Sequence, residues 1–521
     1  MQFATLDIWI IGFYCVGLIA LATWVSKDNG KDKTSEDYFL AGRSLPWWAI
    51  GASLIAANIS AEQIIGMSGQ GYVVGMAIAT YELTAAIALI VMAKYFLPIF
   101  LEKKIYTMPQ FLEQRFDKWV CLVLSLFWVA VYIFINLTSV LWLGSLAINT
   151  LTGFEISYGL WALVLLSLAY SLKGGLKAVA LTDAIQVFLL ILGGLAVSYI
   201  ALDKISGNSG VVEGFTILIN SIPDKFDMIL SKNNPSYSDL PGVWVLIGGL
   251  WVAHFAYWGF NQYITQRALG AKSLPEAQKG VMFAAFLKLL MPLVVVLPGI
   301  CAVILIPNLE SPDTAYPAMM SLLPTGLLGL TFAALIAAIV SSLASMTNSV
   351  STIFTMDIYK QFLSSEVNEG KLVVVGRNVA LISIVVAALC AQPLLGNLES
   401  AFQYIQNFTG FFTPGFLVIF LVALFWKKAT SLSVLVAALA SLILSIGMFL
   451  FAPNDFPFQH RMGIVFLVTG FLCYMTALVQ GYTDQEKAVD LNTVSFKTSK
   501  GFNISTGIVL FVLIFIYSLW W

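Results

Sequence analysis

The sequence predicts an all-α polytopic membrane protein of about fourteen transmembrane helices, and three observations carry that expectation. Of its 521 residues, 59% are hydrophobic and only 11% charged, with a mean hydropathy of +0.88. Soluble domains carry about 25% charged residues. Apolar stretches of spanning length recur from end to end, at roughly 5–25, 47–69, 73–100, 119–150, 156–172, 178–202, 241–268, 279–307, 323–358, 372–395, 399–425, 430–451, 461–481 and 503–521. The basic residues are lopsided about them. With the N-terminus outside, 21 of the 27 Lys and Arg residues fall in or beside inner connections, and four (Lys204, Lys225, Lys232 and Arg461) in outer ones. That excess is the positive-inside pattern, and it puts both termini outside.

The first run, 5–25, has Asp7 ahead of it and Lys27, Lys31 and Lys33 behind it, the charge order of a retained helix rather than a signal peptide. With its inner loop it makes up residues 1–46. The next segment, 47–69, reads WWAIGASLIAANISAEQIIGMSGQG and looks interrupted, with Asn58, Ser60, Glu62 and Gln63 in mid-span. Glu82 lies about a third of the way into 73–100, and Asp183 close to the inner end of 178–202. Residues 203–240 form the one long polar connection on the outer face. The segment 241–268 repeats the interruption, with His254, Gly259, Asn261 and Gln262 in its second half. Lys288 sits in FAAFLKLLMPL, too deep to snorkel easily. Three further helices fill 426–521. An ionisable residue at a helix centre costs about 2.5–3.5 kcal/mol on insertion scales, so Glu82 and Lys288 read as functional or as a mutual ion pair. For Asp183 the structural reading is the stronger one.

The interrupted segments open two blocks of five spans, 47–202 and 241–425. An odd number of spans forces the blocks into opposite orientation. Broken helices at matching places in two halves are the sequence pointer to a secondary transporter's binding site. A second pointer lies between Thr331 and Asp357, an apolar stretch bearing a ladder of hydroxyls. At 100° per residue Ser341, Ser345, Asn348 and Thr352 share one stripe, flanked by Ser342 and Ser349. Hydrocarbon cannot solvate that stripe. It faces either a closely packed helix or a site for an ion or solute.

Several classes drop out. Net charge is −1, which gives nucleic acid no electrostatic purchase. The five cysteines form no CxxC pair and the two histidines are far apart, so no metal cluster is suggested. No GxxxxGK[ST] loop, nucleophile elbow or metalloprotease helix occurs, so neither an ATP motor nor an enzyme is expected. A sensor would need a soluble signalling domain, and no obligatory protein partner is evident.

The stretches TSEDYFLAGRSLPWWAIGASLIAANISAEQ (from Thr34), GGLKAVALTDAIQ, YWGFNQYITQRALGAKSLPEAQKG, AALIAAIVSSLASM and AFQYIQNFTG resemble the solute:sodium symporter family, along almost the whole chain. The resemblance implies a LeuT-type fold of inverted five-helix repeats, one helix before them and three after. It also implies a multi-pass protein of a bacterial plasma (inner) membrane, importing a neutral hexose such as galactose or glucose with Na+ by alternating access. The family's sodium ligands carry over to the carbonyls of Ala56, Ile59 and Ala338 and the hydroxyls of Ser341 and Ser342. Neutral oxygens suit a hard cation that must be released again. Its sugar contacts carry over to Gln63, Glu82, His254, Tyr257, Lys288 and Gln406, and its lining and outer gate to Met67, Tyr81, Tyr132 and Phe402. Two positions depart from the galactose-transporting pattern: Ala85 replaces a serine, with Thr84 beside it to compensate, and His254 replaces an asparagine. A symporter of the same fold for a polyol, sialic acid or amino acid is the alternative.

Overall fold

The computed structural model describes residues 3–25, 40–105, 107–171, 176–363, 369–396, 401–453 and 455–521. Lys27, Lys31, Lys33 and Lys173, used in the inner-face count, lie outside them. Among the described residues the chain is helical with no strand, and one isolated bridge joins Leu45 to Ala271. Among the described residues, ten helices are long and apolar enough to cross a membrane, from Met76–Glu102 to Lys500–Leu519. They become eleven if Trp47–Asn58 and Glu62–Val73, bent by 61° at their break, count as one span. The three other expected spans fall on Thr5–Val25, on Ile156–Ser171, and on the pieces Trp244–Ile247, Leu250–Phe260 and Gln262–Leu269.

Both interruptions have local causes. After Asn58 the Ser60 N–H turns back to the Asn58 carbonyl at 2.8 Å instead of reaching Ala56. The Ser60 hydroxyl then accepts from the Glu62 N–H at 3.2 Å, so a serine side chain replaces one helical bond and restarts the helix. In the second break Asn261 adopts an extended ψ of 125°. Its carbonyl takes the Thr265 N–H and hydroxyl, both at 2.9 Å. Elsewhere five helical stretches widen into π turns: Glu62–Met67, Met92–Phe96, Tyr132–Leu137, Pro292–Val296 and Ile353–Leu363. At Pro292 the reason is plain, since proline offers no N–H to the ladder. Such turns cluster at functional sites.

Three helices begin against carboxylates from remote parts of the chain. Glu276 accepts the Trp47 N–H at 3.0 Å. Asp7 accepts from Gly326 and Gly329 at 2.7 and 2.9 Å, at the start of Leu327–Thr352. Asp313 accepts the Ala401 N–H at 2.8 Å. Each supplies an acceptor to amides that have no partner within their own helix.

The hydrophobic effect sorts the helices by depth. The most apolar part of Leu327–Leu363 is 83% buried, and that of Lys500–Leu519 only 17%. Phe511 and Ile514 face outward, as a lipid-contacting surface requires. Two sequence expectations change in detail. The outer stretch 203–240 contains the helix Val211–Ser221, seated so closely that a Cβ on Gly214 would lie 1.9 Å from the Leu202 carbonyl oxygen. Arg115 and Arg267, counted with the inner face, are buried. Arg115 donates to the carbonyls of Trp426 and Ala429, closing the end of Ala401–Phe425.

Candidate functional site

The two breaks and two of the wide turns, Glu62–Met67 and Tyr132–Leu137, contribute to one cavity of about 110 Å³. The break after Asn58 aims Asn58, Glu62 and Gln63 into it, followed by Met67. Helix Thr80–Val91 adds Tyr81, Glu82 and Ala85, and helix Leu250–Phe260 adds His254, Tyr257 and Trp258. Lys288, Phe402 and Gln406 complete the predicted set. Every expected sugar contact therefore lines a single space. Tyr132 does not. It stands a layer behind, stacked 5.2 Å from Trp128 and donating to Asn261 Oδ1 at 2.8 Å, and both of those residues line the cavity.

Charge in the cavity is organised around Lys288. Its ammonium meets Glu82 Oε2 at 2.6 Å, with both side chains almost fully enclosed. It also donates to Asn58 Oδ1 and lies 5.0 Å above the Trp258 ring. Asn58 in turn donates to the Tyr257 hydroxyl at 3.1 Å, which pairs with the Tyr263 hydroxyl at 2.8 Å. Burial makes each of these charges costly alone, and the partner of opposite sign offsets that cost. Aromatic edges close the other side, with Tyr81 5.6 Å from Phe402 and held by Gln459 Nε2 at 3.2 Å. The cavity thus joins polar edges that donate and accept to flat apolar faces.

Sequence reasoning missed Asn136, Trp128 and Thr409 in the lining. Asn136 lies in the apolar run YIFINLTS, where only the wide turn Tyr132–Leu137 brings it to the cavity, and no residue type announces that turn. Thr84 does not supply the hydroxyl that Ala85 lacks. Its Oγ1 donates to the Thr80 carbonyl at 2.6 Å and contacts His254 Nε2 at 2.7 Å.

The hydroxyl ladder is bound up with Asp183. Ser341 Oγ donates to Asp183 Oδ1 at 2.6 Å, and Ser53 Oγ to Oδ2 at 2.6 Å. Arg267 approaches the same carboxylate at 3.5 Å and donates to Ser53 Oγ at 2.8 Å and Ser345 Oγ at 3.0 Å. This network ties Ser341 to Ser53, one turn before Ala56 at the first break. Asp183 is fully buried and ion-paired with Arg267. Ser342 Oγ, also fully buried, has no hydrogen-bond partner among the described residues. Ala56, Ile59 and Ala338 are buried as well, and the Ala56 carbonyl is bypassed by the Ser60 N–H.

Comparison with known proteins identifies the family and the fold. The sodium:solute symporter family model matches residues 38–443. The sodium/glucose cotransporter of Vibrio parahaemolyticus is 49% identical, over 99% of this chain and 98% of its own. The human sodium/myo-inositol cotransporter 2 is 31% identical, over 84% of this chain and 69% of its own. A solved Na+-coupled sialic acid symporter, in a substrate-bound outward-open state, superposes with a TM-score of 0.80 at 23% identity, covering 93% of this chain and all of that one. It shares the fold. With the family model covering most of its length and a near-complete relative at 49% identity, the chain belongs to the sodium:solute symporter family.

Proposed function

We propose that this protein imports a neutral hexose, galactose or glucose, coupled to sodium by alternating access. The observation that carries the reading is the enclosed Lys288–Glu82–Asn58 cluster facing aromatic walls in one cavity. A hexose offers hydroxyl edges that donate and accept, and a face of C–H groups that suits an aromatic ring. The ion pair leaves no net charge of its own to select a charged solute. In this proposal Gln63, Glu82, His254, Lys288 and Gln406 bind the hydroxyls, Tyr257 covers the sugar on the inner side, and Met67, Tyr81 and Phe402 form the outer gate, with Tyr132 supporting it.

Sodium, the transported coupling ion, is bound by the carbonyls of Ala56, Ile59 and Ala338 and the hydroxyls of Ser341 and Ser342. The fit rests on two features: the unpartnered Ser342 Oγ and the Ala56 carbonyl released by the break. Neutral oxygens around a hard ion hold it without trapping it. Fourteen spans, both termini outside, and inverted blocks at 47–202 and 241–425 frame the mechanism in a bacterial plasma membrane. Rocking one block against the other exposes a central site to each face in turn.

The test is uptake of labelled hexoses into proteoliposomes. Accumulation of galactose or glucose is expected only with an inward sodium gradient, and no hexose uptake under that gradient overturns the proposal. Sodium-driven uptake of a polyol in preference favours the second reading, supported by the likeness to a myo-inositol cotransporter.

A further inference from the structure

The protons around His254 can be placed from the contacts of Thr84. Thr84 Oγ1 lies 2.6 Å from the Thr80 carbonyl oxygen, and two oxygens approach that closely only with a proton between them. A carbonyl has none to give, so the single hydroxyl proton of Thr84 points at Thr80. Thr84 Oγ1 also lies 2.7 Å from His254 Nε2. With its own proton committed, Thr84 can only accept there, so the proton of that contact belongs to Nε2. Burial with no carboxylate in contact keeps the imidazole neutral, so Nδ1 carries a bare lone pair. Nδ1 has no hydrogen-bond partner among the described residues, and the ring lines the cavity. Tyr81 and Trp251 fix the ring's tilt by edge contacts, at 6.3 and 6.1 Å between centroids.

We propose that Thr84 locks His254 into its Nε2–H form, so that the cavity meets one substrate hydroxyl with an acceptor alone and selects solutes that donate a proton at that position. The proposal rests on the hexose reading of the cavity. It makes Thr84, outside the lining, a positioning residue for specificity. An asparagine at 254 would offer donor and acceptor together and read that hydroxyl without regard to its direction. Lys288, by contrast, only donates, so the cavity sorts substrate positions by the sense of their hydrogen bonds. Ala85, with no hydroxyl, leaves that sorting undisturbed.

Fluorine distinguishes the two senses, because a C–F group can accept weakly and cannot donate. Uptake is measured for the transported hexose and for its deoxy and deoxyfluoro analogues at each hydroxyl in turn. Expected is one position at which both analogues fall about ten- to a hundredfold below the parent sugar, with fluorine no better than hydrogen. In His254→Asn the fluoro analogue at that position should overtake the deoxy one. Thr84→Val, which frees the ring to exchange tautomers, should narrow the preference for the donating substituent, and Thr84→Ser should restore it. The chain has only two histidines, so nitrogen NMR of ¹⁵N-histidine-labelled protein, with His460→Gln to assign the signals, reads the tautomer directly. A ring protonated at Nδ1, or a fluoro/deoxy ranking that is the same in the parent protein and His254→Asn, overturns the proposal. Failure of every hexose to accumulate overturns the hexose reading instead, while the NMR result still decides the tautomer.

Discussion

Ser342 and Lys288 show how differently two buried polar side chains can be used. Ser342 Oγ has no partner and sits in a helix that alanine suits, so Ser342→Ala should leave the fold intact. It removes one of about five oxygens from the proposed sodium shell, and the half-saturating sodium for uptake should rise on the order of tenfold. A sodium dependence matching the parent protein would sink the assignment. Lys288→Ala strands Glu82 in the interior, which costs about 3–5 kcal/mol, so the thermal midpoint in detergent should fall and sugar accumulation should cease. Lys288→Met combined with Glu82→Gln should regain most of the stability and none of the transport. If the double variant transports, the pair is only structural. Lys288, Glu82 and Asn58 are legible in the sequence because polar residues in mid-span stand out against hydrocarbon. Thr84 and Asn136 are not, because their significance lies in a 2.6 Å contact and a widened turn.

At the level of whole helices, the breaks at Asn58–Glu62 and Asn261 can be read from clustered polar residues. The carboxylates that start three helices cannot, because each partner is far off in the chain. Asp7 is the fullest case. It satisfies two amides at the start of Leu327–Thr352, the helix that carries Ser341 and Ser342, and a Cβ on Gly329 would sit 2.6 Å from the Asp7 Cα. Asp7→Ala should cost about 1–2 kcal/mol, by analogy with the loss of an N-cap. The measurement is the thermal midpoint of purified protein, expected to drop by several degrees while the protein that remains folded still takes up sugar. An unchanged midpoint would mean that water serves those amides equally well.

For the molecule as a whole, the asymmetry of Lys and Arg carries the expected topology, although Arg115 and Arg267 turn out to be enclosed. Arg115 donates to carbonyls and Arg267 pairs with Asp183, so they say nothing about which face they lie on. With them set aside, 19 of the expected inner residues still stand against four outer ones, and the expectation of both termini outside rests on that asymmetry. Tags at both ends of the chain should be reached by a membrane-impermeant label applied to intact cells with the outer barrier opened, and a tag in the connection near Lys427 should not. Labelling of one terminus alone would require an odd number of spans. Blocks of opposite orientation can be inferred from parity, but the cavity that the two breaks line could not be, since that depends on the angle of each break.

The pairing of Glu82 with Lys288 also sets a condition on biosynthesis. The two lie 206 residues apart, and Asn58 precedes the same lysine by 230. While the ribosome is still making the first block, Glu82 is already in a hydrophobic helix and its counter-ion has no codon yet translated. Trp47 waits 229 residues for Glu276 in the same way. Until Lys288 arrives, the Glu82 carboxylate must be met by water or a proton instead, so the first block leaves the translocon without the ion pair that completes it. A nascent chain stopped before Lys288 carries an uncompensated carboxylate, and that is a mark by which membrane quality control can recognise it as unfinished.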